Sequence, residues 1–185
     1  MKRRRYILLL VALLMMAVQL RAQQGAEATN GIKFFKGTFS EALAQAKQEN
    51  KIVFVDFYAV WCVPCKKMAK TVFTQEEVGK YFNEHFISLQ LDAEKGENVD
   101  IAKNYKVAAY PTVAFIAPDG KALSVNTGAM DKDELMEAAK IAAGESVSFE
   151  ELYNKYKADN NDLDVQQQLL LKAPSFLQAQ EGMDA

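Results

Sequence analysis

Short apolar runs alternate with amphipathic stretches along most of the chain. Residues 52–58 and 112–117 are rich in β-branched and aromatic side chains and are too short for typical helices, so we expect strands that are buried on both faces. Residues 86–91 alternate apolar and polar positions, which indicates a further strand. We also expect a short strand at 32–35, and a hairpin in which 121–126 pairs back on 112–117 through a turn at 118–120.

The stretches between these strands have helical spacing and recognisable start signals. Thr38, Thr74 and Asp131 each precede a glutamate by three residues, the spacing of a capping box at a helix N-terminus. The predicted helices cover about 38–49, 62–70, 74–82, 99–105 and 131–143. The resulting order, β-α-β-α-β-α-β-β-α, predicts an α/β fold with a mixed, mostly parallel sheet and helices on both faces.

The two ends of the chain differ from this central domain. Basic residues 2–5, an apolar run at 6–18 and a small residue at Ala22 predict a signal peptide that is cleaved after residue 22. Membrane anchoring through residues 6–18 is the alternative, although the run is short for a span. We expect a flexible lead-in at 23–31, the main domain at 32–144 and a helical extension at 145–185, whose second helix ends before Pro174.

Composition and charge limit the possible partners. Half of the 185 residues are apolar and a quarter are charged, as in an ordinary globular protein. Removing residues 1–22 takes away five basic side chains and no acidic ones, so the formal net charge falls from −2 to −7. Such an acidic chain is a poor candidate for binding nucleic acid or anionic membrane. Export would place the protein in the periplasm or an equivalent compartment.

The chain contains two cysteines, Cys62 and Cys65, at the predicted junction of a strand and a helix. A disulfide between them would close almost no loop, so a structural staple is a poor explanation. A helix N-terminus stabilises a thiolate, which is the reactive form in thiol-disulfide exchange. We therefore expect Cys62 to be a nucleophile that a partner's disulfide can reach, and Cys65, one turn later, to be the resolving cysteine. Zinc would need further ligands, and His85 is the single histidine; a pair of inert core thiols is the other alternative.

The segment from Val55 to Lys66, with Cys62-Val63-Pro64-Cys65 in it, resembles the active-site segment of the thioredoxin superfamily. Tyr110-Pro111-Thr112 resembles the cis-proline loop of that superfamily. Within it, the residues that follow Cys65 are most similar to exported thioredoxin-like proteins and to the C-terminal periplasmic domain of the DsbD reductase. The resemblance covers about residues 32–143 and implies a thioredoxin fold.

The same resemblance assigns roles to particular residues. It implies a cis peptide bond before Pro111, which would hold Tyr110 against the Cys62 sulfur. It implies that Asp56 is a buried acid behind Cys65 that takes the proton of this cysteine, with a pKa raised by its apolar surroundings. Partner binding is expected at Trp61, Pro64, Tyr110 and Pro111, although core packing is an equally good reading of Trp61. The chain departs from the family at Ser88, where we align a lysine that lies beside the buried acid.

These features predict a protein thiol-disulfide oxidoreductase that needs no metal and no small-molecule cofactor. The spacer Val63-Pro64 lacks the histidine of strongly oxidising relatives, so we expect a reductase with a potential near about −270 mV rather than about −120 mV. Expected partners are cysteine-containing exported proteins and an upstream membrane or periplasmic electron donor. A disulfide oxidase or isomerase, and a non-catalytic partner-binding module, are the alternatives.

Overall fold

A computed structural model of the chain describes residues 30–181. The predicted signal peptide and residues 23–29 of the lead-in lie outside this range, so they remain predictions. The described part contains a four-stranded sheet in the order β2-β1-β3-β4. Its strands are β1 (Ile52–Tyr58), β2 (Phe86–Asp92), β3 (Thr112–Ile116) and β4 (Ala122–Thr127).

The sheet is mixed, as predicted, and strand β1 lies inside it. Strand β1 pairs in parallel with β2 and antiparallel with β3, and β3 pairs antiparallel with β4. The expectation that parallel pairs dominate is therefore wrong for these four strands. The segment between β2 and β3 contains only a short helix before β3 enters the sheet, and β3 runs in the direction opposite to β1. The expected hairpin of β3 and β4 is confirmed.

The predicted first strand is reduced to one bridge between Phe34 and Ser88 in the described residues. Neighbouring backbone groups bind elsewhere: the Ile32 N–H donates to the Phe73 carbonyl at 2.8 Å, and the Lys33 N–H donates to the Asn83 side chain at 2.8 Å. Because these donors are not available to a sheet ladder, a regular strand does not form.

Seven helices surround this sheet in residues 30–181. They are α1 (Phe39–Glu49), α2 (Val63–Thr71), α3 (Glu76–His85), α4 (Asn98–Asn104), α5 (Lys132–Ala142), α6 (Phe149–Ala158) and α7 (Leu163–Glu181). The capping boxes at Thr38 and Asp131 are confirmed. The one at Thr74 is wrong: Gln75 is the N-cap of α3 and makes no side-chain cap. The Thr74 hydroxyl is directed toward the preceding helix, where it donates to the Lys70 carbonyl at 2.7 Å.

Two apolar clusters cover the two faces of the sheet. Strand β1 alternates between them: Val53, Val55 and Phe57 belong to the cluster that includes α1, whereas Phe54 belongs to the cluster that includes Met68 of α2. Since side chains alternate along a strand, Asp56 lies on the same face as Phe54, toward α2. The central strand thus places one carboxyl group on the face that carries the cysteine helix.

The last two helices are joined to the main body by a polar cluster. Ser146, just before α6, donates to Glu137 of α5 at 2.9 Å, and Lys172 of α7 pairs with the same glutamate. The helices expected in the C-terminal extension are present as α6 and α7, while its boundary as a separate unit stays a prediction. Helix α7 continues past Pro174, so the predicted end before this residue is wrong; a proline removes one helical hydrogen bond but does not always stop the backbone.

Among the helices of residues 30–181, none combines the length and the apolar composition that a membrane span requires.

Candidate active site

The cysteine pair lies where β1 passes into α2. Cys62 is the N-cap residue of α2, with an extended backbone (φ −67°, ψ 107°). Its N–H donates to the Ala59 carbonyl at 3.0 Å, which fixes the turn that follows the strand. Pro64 occupies the first turn of the helix, where a missing N–H costs no hydrogen bond. This arrangement is the strand-to-helix junction predicted from the sequence.

Cys62 and Cys65 form a disulfide across the first turn of α2, with their Cα atoms 5.3 Å apart. The Cys62 sulfur also accepts a hydrogen bond from the Cys65 backbone N–H at 3.1 Å. This N–H is one of the unpaired donors at a helix N-terminus, which carries partial positive charge. When the disulfide is reduced, the same donor and the same dipole favour a thiolate at Cys62.

The Cys62 side chain is enclosed in this disulfide form, where only 1% of the residue is exposed. The expectation that a partner's disulfide can reach the sulfur concerns the reduced protein and stays a prediction. Cys62 packs with Ala59 and Cys65, and the rings of Tyr58 and Tyr110 lie against this cluster. Access to the sulfur therefore requires a movement of the side chains that cover it.

Asp56 is buried behind the cysteines, as predicted. It is 2% exposed, and it shares a cavity of about 330 Å³ with Cys65 and the exposed Lys66. Burial raises the pKa of Asp56 to about 6, and a hydrogen bond from Gln90 opposes this rise. A location on the central strand excludes the solvent-exposed alternative. The carboxyl can therefore gain and lose a proton near neutral pH.

The polar neighbour of Asp56 is not the one suggested by the family alignment. Gln90 lies opposite Asp56 in the sheet register, whereas Ser88 lies opposite Phe54. The Gln90 amide donates to Asp56 Oδ2 at 3.0 Å. The Ser88 hydroxyl is buried and has no protein partner. Gln90 was not predicted as a site residue, although the sequence places this glutamine between two apolar strand residues, Leu89 and Leu91.

The raised pKa of Asp56 predicts a measurable effect on stability. The folded state holds this proton up to about pH 6, whereas the unfolded chain releases it near 3.8. The stabilising contribution is therefore complete below about pH 4 and is lost as the pH rises through 6, a loss of about 3 kcal/mol. We expect Asp56→Asn to stabilise the protein more at pH 8 than at pH 4. The difference in the free energy of unfolding between the variant and the unmodified protein should be about 3 kcal/mol larger at pH 8. Urea unfolding of the oxidised proteins measures it.

The exposed Asp119→Asn variant is the control for this measurement, because it removes a carboxyl group from the surface. Its stability difference from the unmodified protein should vary much less between pH 4 and pH 8. If Asp56→Asn behaves like this control, Asp56 does not carry a raised pKa.

The loop that faces the disulfide begins with a cis peptide bond between Tyr110 and Pro111, which confirms the prediction. Tyr110 packs against the cysteine cluster, also as expected. Pro111 itself is buried, and its carbonyl accepts the Gly128 N–H at 2.9 Å. The exposed residues next to this loop are Ala108 and Ala109, which precede Tyr110.

Trp61 forms an exposed edge of the site. It is 63% exposed, so the core-packing alternative is wrong. Its ring meets that of Tyr110 edge to face, with the centroids 6.0 Å apart, and its indole N–H donates to a Glu94 carboxylate oxygen at 2.9 Å. Sequence analysis missed Glu94, and no spacing along the chain links these two residues. Trp61 and the exposed Val60 and Val63 form an apolar surface next to the disulfide.

Comparisons with known proteins identify the family. A family model described as thioredoxin-like matches residues 35–118. A solved structure from Bacteroides thetaiotaomicron, described as that of a candidate disulphide-isomerase, is 42% identical, with a TM-score of 0.58. The match covers 64% of this chain and 98% of that one. The chain belongs to the thioredoxin-like family.

Other relatives of this thioredoxin-like chain carry the name thiol:disulfide interchange protein DsbD. The protein of that name from Pseudomonas fluorescens is 35% identical over 80 residues, which are 43% of this chain and 14% of the relative. The chain thus spans about a seventh of the length of this curated relative. The oxidised C-terminal domain of DsbD from Neisseria meningitidis has a TM-score of 0.50 and is 29% identical, with 60% of this chain and 99% of that domain covered.

Proposed function

We propose that the protein is an exported thiol-disulfide oxidoreductase that reduces disulfides of other exported proteins. The observation that carries the proposal is the placement of two cysteines on the first turn of α2, with the Cys62 sulfur accepting the Cys65 N–H at 3.1 Å. A sulfur in that position is prepared to exist as a thiolate at neutral pH. The thioredoxin-like relatives named for disulfide interchange support the same class of reaction.

The first step is the capture of a partner. In the reduced protein, the Cys62 thiolate attacks one sulfur of the partner's disulfide, and the partner's other sulfur leaves as a thiolate that takes a proton from solvent. A mixed disulfide then joins Cys62 to the partner. We place Trp61, Pro64 and Tyr110 at the docking surface, where Trp61 and Ala109 are exposed. The buried Pro111 contributes through the cis bond that positions Tyr110.

The second step releases the partner. Cys65 attacks the Cys62 sulfur, the bond between Cys62 and the partner breaks, and the disulfide of the structure forms. Asp56 takes the proton that Cys65 loses, because the two residues line the same cavity and the carboxyl has a pKa of about 6. Two electrons pass from the cysteine pair to the partner. An upstream membrane or periplasmic donor must then reduce the pair again, and no bound cofactor is needed.

The direction of electron flow follows from the spacer. Val63 and Pro64 offer no side chain that would stabilise the Cys62 thiolate further, and stabilisation of the reduced form is what makes a dithiol pair oxidising. We therefore expect the reduction potential of the cysteine pair to lie toward the reducing end of the range, near about −270 mV. Disulfide isomerisation is a second candidate, favoured by the description of the 42% identical relative as a candidate disulphide-isomerase.

Measurement of the reduction potential tests this direction. Equilibration of the purified protein with glutathione and dithiothreitol buffers is expected to give a potential closer to about −270 mV than to about −120 mV. The Val63→His variant is a matched control, because a histidine between the cysteines should move the potential toward the oxidising end. A potential near −120 mV for the unmodified protein would overturn the reductase proposal.

The redox state of the cysteine pair in the cell distinguishes a reductase from an oxidase. Acid quenching followed by alkylation should find the pair mainly reduced for a reductase and mainly oxidised for an oxidase. An isomerase also rests in the reduced state, so it is distinguished by the reactivation of scrambled ribonuclease without net transfer of electrons.

A further inference from the structure

Gln90 is the polar side chain that contacts the buried acid from the neighbouring strand. Its amide donates to Asp56 Oδ2 at 3.0 Å, and it lies directly opposite Asp56 in the parallel pairing of β1 and β2. Gln90 itself is exposed at the surface of the protein. The hydrogen bond therefore joins a residue in contact with solvent to a carboxyl that is 2% exposed.

The two oxygens of the Asp56 carboxyl group differ in their hydrogen bonding. Oδ2 is bound to Gln90, whereas Oδ1 is buried without a hydrogen-bond partner in the protein. A buried acceptor without a donor is unfavourable by about 1–3 kcal/mol, and such atoms call for a physical explanation. The cavity provides such an explanation for Oδ1, because Asp56, Gln90 and Cys65 all line it and Cys65 is the group that loses a proton in the release step.

We propose that Gln90 is a positioning residue for Asp56, whose amide holds Oδ2 and thereby leaves Oδ1 as the oxygen that receives the proton of Cys65. The hydrogen bond restricts rotation of the carboxyl group and assigns different tasks to its two oxygens. It also stabilises the ionised form, which is the form that accepts a proton. Gln90 acts through Asp56 and does not touch the reacting sulfurs.

This inference rests on the proposed function, because it concerns the release step. In that step the Cys65 sulfur bonds to Cys62, the partner's sulfur leaves with the electron pair of the broken bond, and the Cys65 proton passes to Asp56 Oδ1. The other titratable groups that line the cavity are Tyr58 of β1 and Lys66 of α2. Neither is substituted in the test, so their influence is the same in every variant.

A direct titration of Asp56 provides the first test. The pKa of the Asp56 carboxyl is followed by carbon-13 NMR in the oxidised full chain, in the unmodified protein and in Gln90→Leu. We expect the variant to raise this pKa by about 0.5 to 1, the equivalent of one hydrogen bond. Gln90→Glu should raise it further, because a second carboxylate disfavours ionisation. Gln48→Leu, at an exposed position of α1, should leave it unchanged.

The pH profile of the release step provides the second test. Ellman's reagent reacts with the reduced protein in two phases, and the second phase reports the attack of Cys65 on the Cys62 adduct. Gln90→Leu should slow this phase about two- to fivefold more at pH 6 than at pH 8, because loss of orientation acts at both values whereas the raised pKa removes the ionised form only near pH 6. A purely structural role for Gln90 would slow it equally at both values.

The outcomes separate this inference from the proposed function. Absence of a second phase in the unmodified protein would contradict the proposed function, and the NMR titration would still decide the role of Gln90. An unchanged Asp56 pKa in Gln90→Leu, or equal slowing at pH 6 and pH 8, would overturn the inference while a two-phase reaction leaves the proposed function intact.

Discussion

Replacement of Cys65 by alanine is expected to leave Cys62 joined to partner proteins by mixed disulfides that accumulate in the cell. Cys65 lies on the first turn of α2, three residues after Cys62, and the two cysteines form a disulfide within that turn. Without this intramolecular attack, release depends on thiols from solution, and we expect adducts to persist on the order of 10² times longer or more. Alkylation after acid quenching, followed by electrophoresis without reductant, detects them.

The double variant Cys62→Ala, Cys65→Ala is the control for this experiment. It should retain the docking surface around Trp61 but form no covalent adduct. Bands that are present in Cys65→Ala and absent from the double variant, and that disappear on treatment with dithiothreitol, identify true partners. Recovery of no such band from cells that export the variant would argue against the oxidoreductase proposal.

The second large effect is expected for Cys62→Ser, which should abolish the reduction of protein disulfides. The hydroxyl that replaces the sulfur remains protonated at neutral pH. Cys65 lies within α2 and not at its N-cap, so its sulfur does not receive the same stabilisation as a thiolate. Loss of a covalent nucleophile lowers turnover by more than about 10³-fold. The rate of insulin reduction with dithiothreitol as donor, after subtraction of the rate without protein, measures the effect.

Lys70→Ala, at an exposed position of α2, is the matched control and should retain its activity. A partner-binding module makes the opposite prediction, because its function would survive the loss of Cys62. Complementation of a deletion strain by Cys62→Ser would therefore favour the binding module over the enzyme. Circular dichroism of the variant establishes that any loss of activity is not a loss of folding.

Local signals explain how much of the site could be predicted from sequence. A run of apolar residues followed by a cysteine pair with a proline between them specifies a buried strand, a turn and a helix start, and these are determined within about fifteen residues. The burial of Asp56 follows from its position inside the apolar run of β1, and the cis bond before Pro111 follows from the resemblance of its loop to the superfamily.

Features that depend on contacts between distant segments could not be predicted. Gln90 meets Asp56 only because β1 and β2 pair in one register, and a shift of one residue would point Gln90 to the other face of the sheet. The bond from Trp61 to Glu94 likewise depends on where the segment after β2 lies. Thr74 has the spacing of a helix cap, but its hydroxyl is already bound to the preceding helix, a competition that the spacing does not reveal.

The enclosure of Cys62 affects how an electron donor can reduce the Cys62–Cys65 disulfide. A disulfide whose first cysteine is 1% exposed and whose cluster packs against Tyr110 presents little surface to a small thiol in bulk solution. We expect attack to be favoured when a macromolecule binds the apolar residues around the disulfide and moves the Tyr110 side chain. We therefore expect small thiols to reduce this disulfide more slowly than a protein that docks on the surrounding surface.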